Sequence, residues 1–163
     1  MPPPKLKKRA LPFKIVVRAP SLEEYAALIE AVGWAGYTNL EPIPIALRNS
    51  LFCVVALKKS DVIGMGRLVG DGARFIYVQD IMVLPKYQGR GVGTAIMDSL
   101  MTYIDNHAPR KTYIHLFTNK KTSGFYERYG FKGPEQPFYG MSVKKFDEPL
   151  QRRALKSQKS GQG

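Results

Sequence analysis

The sequence predicts a mixed α/β (α+β) domain in which helices pack on a mainly antiparallel sheet. Three observations support this fold class. Three β-like segments follow one another between residues 51 and 83, amphipathic helical patterns flank them, and 44% of the 163 residues are hydrophobic. That content is enough for one packed core. The expected element order is β-α-β-β-β-α-β-α-β.

The first elements are a short strand and a helix. Residues 13–18 are β-like and are followed by Pro20. Ser21 with Glu24 three residues later forms a capping box, which predicts the start of a helix. Gly33 predicts its end. An irregular stretch follows, and residues 45–49 are expected to form a second, short helix. The apolar positions of the first helix fall on one face: Leu22, Tyr25, Leu28, Ile29 and Val32.

The middle of the chain predicts an antiparallel meander. Residues 51–57, 62–69 and 75–83 are apolar and rich in β-branched or aromatic side chains. Polar residues separate the first two segments. Gly70-Asp71-Gly72 separates the last two and is a strong hairpin turn.

The last elements are helix, strand, helix and strand. Residues 91–107 carry apolar side chains on one helical face. We expect a strand over 112–117, a short helix over 120–129 that ends at Gly130, and a final strand over 138–143.

Residues 1–9 and 150–163 carry eight basic side chains and no acidic one, so they account for +8 of the net charge of +12. We divide the chain into a basic, flexible tail (1–12), a single domain (13–146) and a basic, disordered tail (147–163). The tails are interpreted as solubilising. Nucleic acid is an alternative partner that we rank lower, because no aromatic residues are interleaved with the charge. The basic side chains of the tails are Lys5, Lys7, Lys8, Arg9, Arg152, Arg153, Lys156 and Lys159.

Composition also excludes several classes. No apolar run is long enough for a spanning helix, so we expect no membrane partner. No secretory signal is recognised. Cys53 is the only cysteine, which excludes an intrachain disulfide and fits a reducing cytoplasm.

The segment from Gln88 to Thr94 carries the most informative pattern. A strand leads into a Gly-rich turn that opens directly into the long helix. The first amides of a helix have no partner within it, and they bind anions such as phosphate. Gly89, Gly91 and Gly93 lack the Cβ atoms that would keep an anion from the backbone, and Arg90 adds a positive charge. This predicts a pyrophosphate site. The pattern lacks the Gly-Lys-Ser/Thr of a Walker A loop, and the preceding meander argues against a dinucleotide fingerprint.

These residues and a second motif resemble the GNAT superfamily of N-acetyltransferases. The Gln/Arg-x-x-Gly-x-Gly/Ala signature is met by Gln88, Gly91 and Gly93, and residues 125–131 resemble the family's Phe-Tyr-x-x-x-Gly-Phe segment. The resemblance covers roughly residues 13–146. It implies a sheet of about six to seven strands with about four helices, acetyl-CoA as the acetyl-donor cosubstrate, an amine acceptor and no metal.

The resemblance also assigns roles to residues. Tyr126 corresponds to the general acid that protonates the leaving thiolate, with plain packing as its alternative. The amide of Met82 is a candidate donor to the thioester oxyanion. Asn119 is expected to bond the cofactor, with a helix N-cap as an equally good alternative. The expected cofactor-binding residues are Ile81, Met82, Val83, Gln88, Gly89, Arg90, Gly91, Val92, Gly93, Thr94, Asn119 and Tyr126.

The general base is not evident from the sequence. Strand alternation places Tyr77 and Gln79 on one face with Phe75, Ile81 and Val83, and Asp80 on the other with Ile76, Val78 and Met82. The resemblance implies that the face with Tyr77 and Gln79 looks toward the acetyl group, and we expect the proton to be removed through water that these two residues hold. Asp80 is the fallback if a bulge changes the alternation. His115 and His107 are interpreted as structural.

The acceptor site is expected to be aromatic, and two other functions stay open. The first is a non-catalytic acyl-CoA-binding module. The second is an acetyltransferase acting on a protein or a nucleic-acid-associated target. A homodimer is compatible with either. The candidate pocket residues are Trp34, Tyr37, Phe75, Tyr77 and Tyr139.

Overall fold

The sheet has five strands in the order β1-β2-β3-β4-β5 in a computed structural model of the chain, which describes residues 12–133. Each of the first four strands pairs antiparallel with the next strand in the sequence, and β5 pairs parallel with β4. Within residues 12–133 the sheet therefore has fewer strands than the six to seven expected, and the strand expected over 138–143 lies outside the described residues. The strands are β1 (Lys14–Val17), β2 (Phe52–Lys58), β3 (Asp61–Gly70), β4 (Phe75–Val83) and β5 (Tyr113–His115).

Four α-helices accompany the sheet within the described residues, as expected. They are α1 (Leu22–Ala31), α2 (Ile43–Arg48), α3 (Val92–His107) and α4 (Ser123–Glu127), with 3-10 turns at Ala35–Tyr37 and Pro85–Tyr87. Strand β5 and helix α4 are shorter than predicted. The chain divides into two compact units between Lys121 and Thr122, so that α4 belongs to the second unit.

The capping box at the start of α1 is confirmed. The Ser21 hydroxyl accepts the Glu24 amide at 3.2 Å, and the Glu24 carboxylate accepts the Ser21 amide at 2.8 Å. Arg18 adds two short bonds of 2.7 and 2.8 Å to the same carboxylate. At the other end, Gly33 adopts a φ of +81°, which suits a residue without a Cβ. Helix α1 therefore begins after the capping box and ends before Gly33, as the sequence predicts.

The β3–β4 hairpin is held by Asp71. Its carboxylate accepts the amides of Ala73, Arg74 and Phe75 at 2.8, 2.7 and 3.0 Å. These bonds hold the pKa of the Asp71 carboxyl below its usual value. Gly70 before it has a φ of +147°, and a Cβ there would lie 2.0 Å from the Phe75 carbonyl oxygen. The turn therefore requires glycine at this position.

The two faces of the sheet bury different helices. Helix α3 packs so closely that a Cβ on Gly66 would lie 2.5 Å from Ile96 Cγ2. The opposite face carries a cluster that joins α1 and α2 to the sheet. Its buried members are Tyr25, Leu28, Ile29, Ile43, Leu47, Cys53, Val55, Met65 and Met82. Cys53 lies in this cluster, and burial raises the pKa of its thiol to about 11. The thiol is therefore a core group rather than a nucleophile.

Candidate active site

A β-bulge interrupts β4 at Asp80. Met65 on β3 pairs with Met82, whereas Arg67 pairs with Gln79. Asp80 and Ile81 therefore share one partner position, that of Gly66, and Asp80 takes a φ of +52°. A bulge of this kind redirects the side chains that follow it.

The simple alternation predicted for β4 is wrong beyond Gln79. A Cβ on Gly66 would lie 2.7 Å from Ile81 Cδ1 and 3.2 Å from Leu100 Cδ1, so Ile81 faces α3. Met82 instead packs in the α1–α2 cluster. Val83 pairs with Gly64, whose missing Cβ also faces α3. The extra residue thus turns Ile81 and Val83 away from Tyr77 and Gln79, and it brings Asp80 and Met82 to their side.

Asp80 is the centre of a polar network on the α1–α2 face. Its Oδ2 accepts the Arg67 Nε–H at 2.6 Å and the Tyr25 hydroxyl at 3.1 Å. Arg67 also donates to the Ala46 carbonyl at 3.2 Å and to the Ser50 hydroxyl at 3.3 Å. Burial, together with the Asp80 charge, raises the pKa of the Tyr25 phenol. Since its carboxylate already binds a guanidinium and a hydroxyl, we assign Asp80 an anchoring role rather than that of a base.

The edge of β4 toward β5 is open over half its length. The parallel pairing joins Phe75 to Tyr113, Ile76 to Ile114 and Tyr77 to His115, and no further pair follows in residues 12–133. Strand β4 itself continues to Val83 on its β3 side. The edge of β4 from Gln79 to Val83, which no described strand covers, is called the β4–β5 gap below. An extended ligand can bind such an edge as an added strand.

The Gly-rich turn lies beyond the end of this gap. Gly89 and Gly91 have φ values of +70° and +83°, and nothing lies within 4 Å of the position of a Cβ on either. Gly91 is the N-cap of α3, and Ala95 donates the first intrahelical bond to its carbonyl at 3.0 Å. The amides of Val92 and Gly93 precede that bond and have no acceptor within the helix. The backbone at Gly89 and Gly91 is therefore accessible, and the amides of Val92 and Gly93 at the start of the helix are of the kind that binds anions such as phosphate.

Gln88 shapes the turn. Its side-chain Nε2 donates to the Val83 carbonyl at 3.0 Å, and its amide donates to the Pro85 carbonyl at 3.2 Å. These bonds tie the turn to the end of β4. Arg90 is exposed beside the glycines, which places a cation next to the open backbone.

A row of aromatic side chains crosses the paired ends of β4 and β5. Phe75 stacks on Tyr113 at 5.7 Å between ring centroids, and Tyr77 stacks on His115 at 5.2 Å. Phe117 extends the row beside Tyr77 at 6.4 Å. The row contains two of the predicted pocket residues, and it adds His115, which sequence analysis treated as structural. The sequence contained an indication of this, because His115 alternates with Tyr113 and Phe117 along the strand predicted over 112–117 and therefore shares their face.

The other pocket candidates lie elsewhere or outside the structure. Trp34 caps the 3-10 turn that follows α1, and Tyr37 ends it. Their side chains are 42% and 77% exposed. Tyr139 lies outside the described residues. The structure thus brings together Phe75 and Tyr77 and leaves Trp34 and Tyr37 on the surface.

Tyr126 lies on α4 among other rings. It packs edge-on against Phe125 at 5.0 Å and Phe131 at 6.4 Å between centroids. Burial raises the pKa of its phenol. The group therefore keeps its proton at neutral pH, as a proton donor must.

Asn119 forms a local turn. Its Oδ1 accepts the Lys121 amide at 2.9 Å, and the N-cap of α4 is Thr122. The alternative reading of Asn119 as the helix N-cap is therefore wrong, because the helix begins later than predicted.

Between residues 12 and 133, no three His, Cys, Asp or Glu side chains are grouped so that they could hold a metal ion. No helix in this part of the chain is both long and apolar enough to cross a membrane.

Comparison with known proteins identifies relatives of this arrangement. The sequence profile of the acetyltransferase (GNAT) domain matches residues 49–133. A solved structure of a probable acetyltransferase from Staphylococcus aureus is 34% identical with a TM-score of 0.76, and the match covers 82% of this chain and 99% of that one. An uncharacterized N-acetyltransferase of Pyropia yezoensis is 29% identical over 71% of this chain and 67% of its own length. A histone acetyltransferase of Glycine max is 30% identical over 71% of this chain, which spans about half (53%) of that protein.

Proposed function

This chain belongs to the GNAT family of acetyltransferases, and from that premise we propose that it transfers the acetyl group of acetyl-CoA to a primary amine. The observation that carries the proposal is the β4–β5 gap with the open Gly-rich turn beyond its end. An elongated donor with an anionic end matches that arrangement. The exposed backbone would bind its diphosphate, and the strand edge would bind the amide-containing arm.

Donor binding is proposed to use main-chain groups. The diphosphate would contact the turn from Gln88 to Thr94, with the Arg90 charge beside it. The pantetheine arm would bond the edge of β4 near Ile81 to Val83, and Asn119 would add a side-chain contact. Such contacts suit a turn whose glycines leave the backbone accessible.

The proposed reaction is direct transfer in a ternary complex. The acceptor ammonium loses one proton, and its nitrogen attacks the thioester carbonyl carbon. A main-chain amide on the edge of β4 that faces the gap would stabilise the resulting oxyanion. The C–S bond then breaks with its electron pair going to sulfur, and Tyr126 protonates the resulting thiolate. The nitrogen loses its second proton to solvent, and solvent returns a proton to the Tyr126 phenolate. No covalent enzyme intermediate is needed, which agrees with the burial of Cys53.

The acceptor is proposed to be a small primary amine or a peptide amine. Phe75 and Tyr77 offer an apolar surface beside the gap, and their neighbour Phe117 is 67% exposed. A protein lysine is the second candidate, since a histone acetyltransferase is among the relatives. We further propose the cytoplasm as the site of action, because the single cysteine is unpaired.

Thiol release with a panel of acceptors tests the proposal. Acetyl-CoA would be incubated with the purified protein and with alkylamines, arylalkylamines, peptides or histone tails. Because Cys53 is buried and the pKa of its thiol is raised, a thiol reagent would report released CoA. CoA should be released with at least one class of amine. A folded protein that binds acetyl-CoA but releases no thiol with any of them would instead be a non-catalytic acyl-CoA-binding module.

A further inference from the structure

His115 occupies the closed end of the β4–β5 gap. It is the last residue of β5, and its pairing with Tyr77 is the last pair between the two strands within the described residues. Beyond this pair the strands are no longer bonded to each other. His115 therefore lies at the end of the gap opposite to the Gly-rich turn.

The proposed orientation of the donor places its thioester end near His115. Under the proposed function, on which this inference rests, the diphosphate binds at Gly89 to Thr94, beyond Val83. An arm that extends from there along the edge of β4 runs toward Gln79. Its far end carries the thioester, which would then lie next to the Tyr77–His115 pair.

The side chain of His115 lies on the face that contains the other polar groups of β4. Its ring stacks on Tyr77 at 5.2 Å with an interplanar angle of 26°. Tyr77 and Gln79 share a face by strand alternation, and Gln79 pairs with Arg67, which bonds Asp80. The bulge thus places all of these groups on one side of the sheet.

His115 is better suited than its neighbours to accept a proton. Gln79 has no basic group, and the Asp80 carboxylate already binds Arg67 and Tyr25. The titratable rings that face His115 are Tyr77 on β4 and Tyr113 on its own strand at 6.0 Å. Arg74 contacts the far members of the aromatic row, and its guanidinium lies 6.0 Å from the Tyr113 ring centroid. Imidazole is the side chain that exchanges a proton most readily near neutral pH.

We propose that His115 is the base that deprotonates the acceptor ammonium. A ring nitrogen takes one proton from the R–NH3⁺ group, directly or through a water held by Tyr77 and Gln79. The neutral amine then attacks the thioester, and the leaving thiolate takes its proton from Tyr126. The imidazolium returns its proton to solvent, so that one proton is released for each acetyl group transferred.

The location can be tested without knowing the acceptor. The chain has two histidines, so a proton NMR spectrum shows two sets of imidazole signals, which the His107→Phe and His115→Phe variants assign. His107 is the matched control, since it stacks on Tyr103 at 4.2 Å near the C-terminal end of α3. Saturating acetyl-CoA should shift the His115 signals and leave those of His107 in place. Bound acetyl-CoA with unmoved His115 signals would overturn the inference and leave the proposed function intact.

The role is tested by kinetics with the best amine of the panel. His115→Phe keeps a ring in the aromatic row but removes the base. It should lower kcat about 100-fold or more with an unchanged KM for acetyl-CoA. In this variant only acceptor that is already neutral in solution can react, so the acidic limb of kcat/KM should move toward the pKa of the amine, about 10 for a lysine-like amine. His107→Phe should retain the wild-type pH profile. A His115→Phe enzyme that keeps both its rate and the acidic limb would show that the ring only packs. If the wild type does not bind acetyl-CoA, the proposed function fails and this inference fails with it.

Discussion

The Arg67 guanidinium on β3 lies 2.6 Å from the Asp80 carboxylate at the bulge of β4. Both side chains are 14% exposed. The pair therefore joins two neighbouring strands at the residue where β4 changes its alternation. The Tyr25 hydroxyl and the α2 carbonyl of Ala46 attach the same pair to both helices of this face. This contact lies at the bulge that sets which β4 side chains face the α1–α2 side of the sheet.

A double-mutant cycle should show strong coupling between these two residues. Asp80→Asn and Arg67→Met should each cost about 2–4 kcal/mol of the free energy of unfolding, because removing one partner leaves the other nearly buried and uncompensated. The double variant should lose less than the sum of the single losses. Denaturant unfolding measures all three variants, and additive losses would show that the pair is not coupled.

The Arg18–Glu24 pair should make stability depend on pH. Hydrogen bonds from Arg18 lower the pKa of the Glu24 carboxyl. Its contribution is therefore complete above the unfolded pKa of about 4.3, and it is lost as the pH falls through the lower folded pKa. Glu24→Gln should lower the free energy of unfolding by about 0.5–1 kcal/mol at pH 7 and by less at acidic pH. Glu30→Gln, exposed on the same helix, is the control, and an equal pH dependence in both variants would contradict the assignment.

The contact between β3 and α3 predicts intolerance of a methyl group at Gly66. A Cβ there would lie 2.5 Å from Ile96 Cγ2, and overpacking of this kind costs about 1–3 kcal/mol. Gly36→Ala is the matched control, because nothing lies within 4 Å of the position of its Cβ. Thermal unfolding should show a lower midpoint for Gly66→Ala only. Equal midpoints for the two variants would mean that α3 can move away without cost.

Tyr126→Phe should separate chemistry from binding. Loss of the phenol proton should reduce kcat by about 100-fold or more, whereas calorimetry should show unchanged acetyl-CoA affinity. Tyr129→Phe is a suitable control, since Tyr129 packs against Phe125 in the same segment. The raised pKa of Tyr126 also predicts that activity persists to higher pH than an ordinary tyrosine would allow. Unchanged kcat in Tyr126→Phe would remove the phenol from the mechanism.

Local signals predicted most of the fold but not the bulge. The capping box at Ser21, the Asp71 turn and the Gly-rich start of α3 act within a few residues, so the sequence contains them in full. The bulge at Asp80 depends on pairing with β3 and on the Arg67 contact, and neither is visible in β4 alone. The role proposed for His115 likewise rests on its register with Tyr77, which a single strand does not reveal.

Calorimetric titration with acetyl-CoA shows whether the turn at Gly91 binds the donor diphosphate. Three proteins would be compared: the wild type, Gly91→Glu and Gly33→Glu. Gly91 and Gly33 have nearly the same φ, +83° and +81°, with open space at both Cβ positions, so the two variants share the same backbone strain and added charge. The wild type and Gly33→Glu should bind acetyl-CoA, and Gly91→Glu should lose binding. Equal affinity in all three proteins, or no binding by the folded wild type, would contradict this prediction.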